Sequence, residues 1–156
     1  MVELIIAAVI LLAYMVYILA RFGVPRSLSD TYYLLEGEGW VFQVVLALFI
    51  MLILPLWINI SSSRTECLAF LSCASLGFVA AAARFKEILT ETVHYVSAGI
   101  CCVCAVLWQV LECSWMLPCI CLLLAGVCSV IRWNKWCWWL EVAIVASTLV
   151  SLWMAV

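Results

Sequence analysis

The sequence predicts an all-α fold, a polytopic transmembrane bundle of about six helices with a short interfacial helix after the first. Hydrophobic residues make up 70% of the 156 residues and charged residues only 10%. The mean hydropathy is +1.29. A water-soluble domain carries roughly a quarter of its residues as charged side chains. Lipid is therefore the expected solvent for most of this chain.

The spacing of the charged residues divides the chain into apolar runs near the ~20 residues that cross the hydrocarbon core. The first run lacks a basic leader segment and a small-residue cleavage site, which predicts a retained helix instead of a signal peptide. The fifth run is short, and a five-span alternative would place the termini on opposite sides. The predicted spans form one transmembrane domain over residues 1–156, at 2–21, 40–60, 67–84, 93–111, 116–131 and 136–156.

The longest loop contains signals of a short helix. Ser27 stands three residues before Asp30, which resembles a capping box with Asp in the place of Glu. The apolar residues that follow recur at helical spacing on one face. We therefore predict an interfacial helix at about 28–35 that lies on the membrane surface.

The basic residues near the span ends predict the orientation, because cytoplasmic loops are enriched in Lys and Arg. The odd-numbered loops contain or adjoin Arg21, Arg26, Arg84, Lys86, Arg132 and Lys135, whereas the opposite face holds Arg64. The sequence thus predicts a multi-pass protein of a bacterial inner membrane with cytoplasmic odd loops and external termini. The expected interfacial anchors are the tryptophans near span ends, Trp40, Trp57, Trp115, Trp133, Trp136 and Trp153.

Ionisable side chains at membrane depth are costly, and each is a functional hypothesis. His94 opens the fourth predicted span, Glu141 lies inside the sixth, and the orientation places both on the side of the Asp30 loop. The candidate polar site comprises His94, Glu141, Asp30, Ser29, Ser27, Tyr32 and Tyr33. The structural alternative is that His94 bonds at the interface and Glu141 pairs with a nearby Arg or Lys, the choices being Arg132, Lys135 and Arg84.

The ten cysteines lie mostly inside apolar runs, where a free thiol behaves as a small hydrophobic group. Cys67 and Cys113 are expected at the external mouths of neighbouring spans, and two unpaired thiols are preferred there over a disulfide. A catalytic zinc needs about three protein ligands. His94 is the only histidine, and the three cysteines of the run 101–104 point in diverging directions around a helix, so they cannot all face one ion. We therefore predict no metal and no other cofactor.

Several short motifs carry a resemblance to known families. They are the segment 27–33, Gly39 with Trp40, the run 68–74, Phe85 with Lys86, and 93–95. With them the chain resembles a group of small multi-pass membrane proteins of Bacteroidota and their phages, which implies no particular activity.

A remoter similarity is to the CREST superfamily of membrane hydrolases, which use Ser, Asp and three His around a zinc ion. That resemblance implies site roles for Ser29, Asp30 and His94. Two histidines of the set have no counterpart in this chain, which has one.

Three function classes follow from these observations. A transport or channel protein with a cytoplasm-facing polar site ranks first, a CREST-like membrane hydrolase second, and a phage or prophage factor acting on a membrane component third. Membrane lipid is the expected partner, and a homo-oligomer is left open. The net charge of −2 argues neither for nor against an anionic partner, but the sequence has no basic stripe, so no nucleic-acid partner is expected.

Overall fold

The structure, a computed structural model, describes residues 1–82, 88–131 and 133–156. Helices account for all regular structure in these three segments, as the sequence predicts. A 3-10 turn, Trp133–Lys135, precedes the last helix. The α-helices are α1 (Val2–Phe22), α2 (Thr31–Leu34), α3 (Trp40–Ile60), α4 (Glu66–Ala82), α5 (Ile88–Glu112), α6 (Met116–Ile131) and α7 (Trp136–Ala155).

Four helical segments in the described part are long and apolar enough to cross a membrane: α1, α3, Thr92–Glu112 of α5, and α7. These four segments confirm the expectation of a membrane-embedded helical chain. The helices α4 and α6 have 17 and 16 residues. At 1.5 Å per residue they are about 24–26 Å long, slightly less than the ~30 Å hydrocarbon core. Six crossings therefore stay a prediction.

The long helices form a closed bundle. The helix α1 packs on α3, α3 on α4, and α4 on α5, while α7 contacts both α5 and α1. The helix α6 packs mainly on α7 and lies outside this ring. Every inward face follows the helical period, as on α1, whose buried residues are Leu4, Ala7, Leu11, Tyr14 and Ile18.

Hydrogen bonds at the two ends of the bundle show which loops lie together. At one end, here called the Ser29 end, the Trp138 amide of α7 donates to the Arg26 carbonyl over 3.0 Å. At the other, the Glu112 end, the Glu112 carboxylate accepts the Ser62 amide at 3.2 Å. It also accepts the Thr65 hydroxyl. The α1–α3 loop and the start of α7 therefore share one end of the molecule.

The segment predicted as a surface-lying helix at 28–35 is different in the structure. The helix is limited to Thr31–Leu34, and Leu28 and Leu35 are only 9% and 4% exposed. Both leucines pack in an apolar cluster with side chains such as Phe42 and Trp138. The apolar face that suggested contact with lipid is instead covered by the end of the bundle.

The tryptophans separate into two groups. Trp57 is buried in the core, where its ring meets Trp108 edge to face at a centroid distance of 5.3 Å. It belongs to the inward stripe of α3 and is not an interfacial anchor. The Trp133 side chain lies outside the described residues. The remaining four predicted anchors are exposed, as that role requires: Trp40, Trp115, Trp136 and Trp153.

All ten cysteines are described, and all ten are free. The Cys113 thiol donates to the Ser151 carbonyl at 3.6 Å. The Cys67 thiol donates to the Arg64 carbonyl at 3.8 Å. Each of the two thiols considered for a bridge therefore has its own backbone acceptor.

A buried amide joins α5 to α7. The Gln109 side chain is fully buried, and its Nε2 donates to Thr148 Oγ1 at 3.0 Å and to the Ala105 carbonyl at 3.2 Å. The Ser151 hydroxyl donates to Gln109 Oε1 at 3.3 Å. Hydrogen bonds of this kind between helices in a membrane contribute about 0.6–2 kcal/mol each. Gln109 therefore fixes the register of α5 against α7.

Substitution Gln109→Leu keeps much of the side-chain volume and removes these bonds. We expect the free energy of unfolding to fall by about 1–3 kcal/mol, because Ser151 and Thr148 lose a buried partner. The control is Asn59→Leu, which changes an exposed amide on α3. Unfolding by denaturing detergent, followed by circular dichroism, gives the difference. Equal stability of the two variants would contradict the role of Gln109.

Candidate functional site

The loop after α1 is attached to the first turns of α7. The first N–H groups of a helix lack acceptors within the helix. The Trp138 amide belongs to this set and donates to the Arg26 carbonyl at 3.0 Å. One turn later, Glu141 Oε2 accepts the Leu28 amide at 2.5 Å. These two contacts determine where the next residues of the loop lie.

Residues 27–31, here called the Ser29 turn, are held by their own hydroxyl groups. Ser27 Oγ accepts the Asp30 amide at 3.0 Å, as the resemblance to a capping box predicts. The Thr31 hydroxyl donates to the Leu28 carbonyl at 2.5 Å. Because that bond uses the Thr31 hydrogen, the Tyr14 hydroxyl is the donor to Thr31 Oγ1 at 2.6 Å. The turn is thereby joined to the inner face of α1.

The turn brings a serine against the only histidine. Ser29 Oγ lies 3.0 Å from Nε2 of His94, which projects from α5. Ser27 Oγ lies 3.1 Å from Ser29 Oγ on the other side. In this arrangement the Ser27 hydroxyl can donate to Ser29 Oγ, and the Ser29 hydroxyl can donate to His94 Nε2. A serine hydroxyl directed at a neutral imidazole has the geometry of a nucleophile and its general base.

The other ring nitrogen of His94 is in a different environment. Nδ1 is buried and forms no hydrogen bond of acceptable geometry with a described group. The Val79 backbone on α4 is close enough to interact with the ring. The imidazole is half-buried, so packing against α4 helps to set its orientation.

Two carboxylates lie at the Ser29 turn, one on α7 and one within the turn itself. Glu141 is directed at the Leu28 amide, and Asp30 is close enough for the two charges to repel each other. The Asp30 carboxylate makes no capping hydrogen bond to α2. The expected ion pair of Glu141 is not formed with Lys135, since the one ion pair among described residues joins Met1 to Glu3. Arg84 and Arg132 lie outside the described residues, as does Lys86.

The structure therefore brings together five of the seven predicted site residues around one turn. The other two are aromatic and pack toward α3. The Tyr32 ring meets Phe42 edge to face at a centroid distance of 6.4 Å, and Tyr33 meets Tyr32 edge to face at 5.3 Å. Tyr32 supports the turn by packing, and Tyr33 is partly exposed beside it.

The zinc ion implied by the remoter resemblance does not fit these residues. Among the residues that the structure describes, no three His, Cys, Asp or Glu side chains come together as a metal-binding group. His94 Nε2 is directed at Ser29, and Glu141 Oε2 accepts a backbone amide. These two ligand atoms are thus committed to other contacts, and a catalytic zinc requires about three protein ligands.

Sequence reasoning missed two residues that support the site, Tyr14 and Thr31. A signal for Tyr14 exists, because it falls on the inward stripe of α1 at the spacing shared by Leu11 and Ile18. A phenol in such a stripe requires a hydrogen-bond partner. Thr31 offers no comparable signal, since its burial depends on how the loop folds back.

The chain matches no protein-family model, and neither curated proteins nor solved structures include a significant match to it.

Proposed function

We propose that this chain is a multi-pass membrane hydrolase or acyltransferase in which Ser29 is the nucleophile and His94 the general base. The observation that supports the proposal is the 3.0 Å contact between Ser29 Oγ and His94 Nε2. Ser27 adds a second hydroxyl 3.1 Å from the same oxygen. The remoter resemblance to membrane hydrolases also assigns Ser29 and His94 to the site, although the proposed mechanism uses no zinc.

The chemistry follows the general scheme of serine nucleophiles. As Ser29 Oγ attacks the carbonyl carbon of an ester, its proton passes to His94 Nε2. The C–O bond to the leaving group breaks, and the alkoxide takes that proton from the imidazolium. The acyl group on Ser29 is then transferred to water or another hydroxyl compound, which gives its own proton to His94. The bond between Ser29 Oγ and the acyl carbon breaks, and Oγ takes that proton back from the imidazolium. The enzyme thus returns to its starting state with no oxidation or reduction.

The surroundings of His94 favour a substrate that resides in the membrane. Its neighbours on α5 include the exposed residues Val93, Tyr95 and Val96. Ser29 and Asp30 are half-buried beside them at the Ser29 end. A polar centre flanked by exposed apolar side chains fits an acyl ester that is itself amphiphilic.

A fluorophosphonate probe tests the proposal on the purified protein in detergent. The probe forms an Oγ–P bond with an activated serine and releases fluoride. Mass spectrometry of the digested protein is expected to find the phosphonyl group on Ser29. Labelling confined to other serines, or no labelling beyond that of heat-denatured protein, would overturn the proposal.

A transport function is favoured by a different observation, the polar stripe of α7. Glu141, Thr148 and Ser151 lie on one side of this helix, and Gln109 of α5 bonds to the last two. At 1.5 Å per residue the stripe is about 15 Å long. The second candidate is therefore a path for protons or small polar solutes. Proton flux in proteoliposomes, reduced by Gln109→Leu, would favour it over the hydrolase.

The orientation can be tested with a native thiol. Cys67 is exposed at the Glu112 end, which the positive-inside argument places outside the cell. An impermeant maleimide is expected to label Cys67 in right-side-out vesicles, with Cys67→Ser as the blank. A cysteine at position 26, from Arg26→Cys, should react only in inside-out vesicles. The reverse pattern would overturn the orientation, and labelling of both from one side would overturn the number of spans.

A further inference from the structure

The beginning of the Ser29 turn and the residue before the turn are each attached to α7 by one hydrogen bond. The Arg26 carbonyl accepts the Trp138 amide at 3.0 Å, and the Leu28 amide donates to Glu141 Oε2 at 2.5 Å. The Leu28 side chain also packs in one apolar cluster with Trp138. The last of these anchored residues directly precedes Ser29.

The histidine partner of Ser29 comes from another helix. His94 belongs to α5, which contacts α7 along the bundle. The distance between Ser29 Oγ and His94 Nε2 therefore depends on how the turn is held against α7. A shift of about 1 Å in the position of a reacting group can slow a reaction by two orders of magnitude.

Glu141 acts in this arrangement as a hydrogen-bond acceptor and not as half of an ion pair. Within the described segments no basic side chain pairs with it, and the nearby charge that acts on it is that of Asp30. The Leu28 amide would be satisfied by any oxygen in the same place.

We propose that Glu141 is a positioning residue, which holds the Leu28 amide and thereby keeps Ser29 in reach of His94. This inference rests on the proposed serine chemistry. The inference assigns this role to the acceptor oxygen of Glu141 and not to its charge. Two substitutions of similar size, one that keeps the oxygen and one that removes it, distinguish the two roles.

The test compares Glu141→Gln with Glu141→Leu by the rate of fluorophosphonate labelling at Ser29. Gln retains an acceptor oxygen and is expected to react at close to the wild-type rate. Leu lacks the acceptor, and its maximal rate is expected to fall by about 100-fold with little change in the probe concentration giving half that rate. Hydrogen–deuterium exchange of the peptide containing Leu28 should become faster in Glu141→Leu only.

Ser61→Ala is the matched control for a general loss of stability. It removes the hydrogen bond that Trp108 Nε1 donates to Ser61 Oγ at 2.7 Å, at the opposite end of the bundle. We expect its thermal stability to decrease while Ser29 labelling stays unchanged. A slower reaction in Ser61→Ala equal to that in Glu141→Leu would show that stability alone accounts for the effect, and would overturn the inference.

The remaining outcomes distinguish this inference from the proposed function. If wild-type protein reacts at Ser29 and Glu141→Leu reacts equally fast, the positioning role is wrong and the serine chemistry stands. If wild-type protein does not react at Ser29, the serine chemistry is wrong, and with it the catalytic role of the positioning. In that case the exchange data still decide whether Glu141 holds the turn.

Discussion

Substitution His94→Ala is expected to slow fluorophosphonate labelling of Ser29 by a factor of about 10²–10⁴, the usual contribution of a general base. The reason is that Nε2, 3.0 Å from Ser29 Oγ, is the described group placed to accept the proton. The pH dependence carries a second expectation. Labelling of the wild type should increase as the imidazole loses its proton, and this increase should be absent in His94→Ala.

Two further variants show whether the effect is local. Ser29→Ala should abolish labelling at this position, since the attacking oxygen is removed. Ser129→Ala removes a hydroxyl that only bonds back to the Ala125 carbonyl of α6, and it should react like the wild type. Circular dichroism and gel filtration establish that each variant is folded. An unchanged rate in His94→Ala would contradict the role of the imidazole.

Substitution Gly39→Ala is expected to destabilise the protein and to disturb the Ser29 turn. A Cβ atom at position 39 would lie 2.8 Å from both the carbonyl oxygen and Cε2 of Tyr32. Backbone strain plays no part, because Gly39 has φ −55° and ψ −23°, which any residue adopts. Overpacking of this kind costs about 1–3 kcal/mol. Tyr32 must move, and with it the helix that begins after Asp30.

Gly99→Ala provides the control for this change. Its Cβ would meet nothing within 4 Å on the exposed face of α5. Replacing Gly by Ala inside a helix stabilises it by about 0.5–1 kcal/mol. Thermal unfolding should therefore move in opposite directions for the two variants, and only Gly39→Ala should label more slowly at Ser29. A Gly39→Ala protein as stable as Gly99→Ala would show that Tyr32 is not confined there.

The helices were predictable because length and apolar composition determine them. The predicted segments 2–21, 40–60, 116–131 and 136–156 each agree with an observed helix to within a residue or two. The start of α5 at Ile88 lies five residues before the predicted start, since Thr90 and Glu91 are too polar for a span yet compatible with a helix. Helix formation and membrane burial are separate properties, and the apolar pattern reports mainly the second.

The candidate site was predictable in its members but not in its contacts. His94 and Glu141 were predicted because an ionisable side chain inside a membrane costs free energy. The predicted topology placed both on the same side as the loop that contains Ser29. The pairing of Ser29 with His94 depends on how residues 26–31 fold back onto α7. That arrangement is determined by bonds between residues far apart in the sequence, which no local pattern reveals. The contacts of Gln109 were not predictable either, because a single amide does not interrupt the apolar composition of its span.

The attachment of the Ser29 turn to α7 has a consequence for biosynthesis. Glu141 and Leu28 are separated by 113 positions, so the turn emerges from the ribosome long before its anchor does. The helices that precede α7 are synthesised while the Ser29 turn has no α7 to bind and while its distance to His94 is not fixed. The contacts that hold Ser29 near His94 can therefore form only after α7 has been inserted. A nascent chain arrested before Trp136 would lack these contacts, and its Ser29 would not be in position to react.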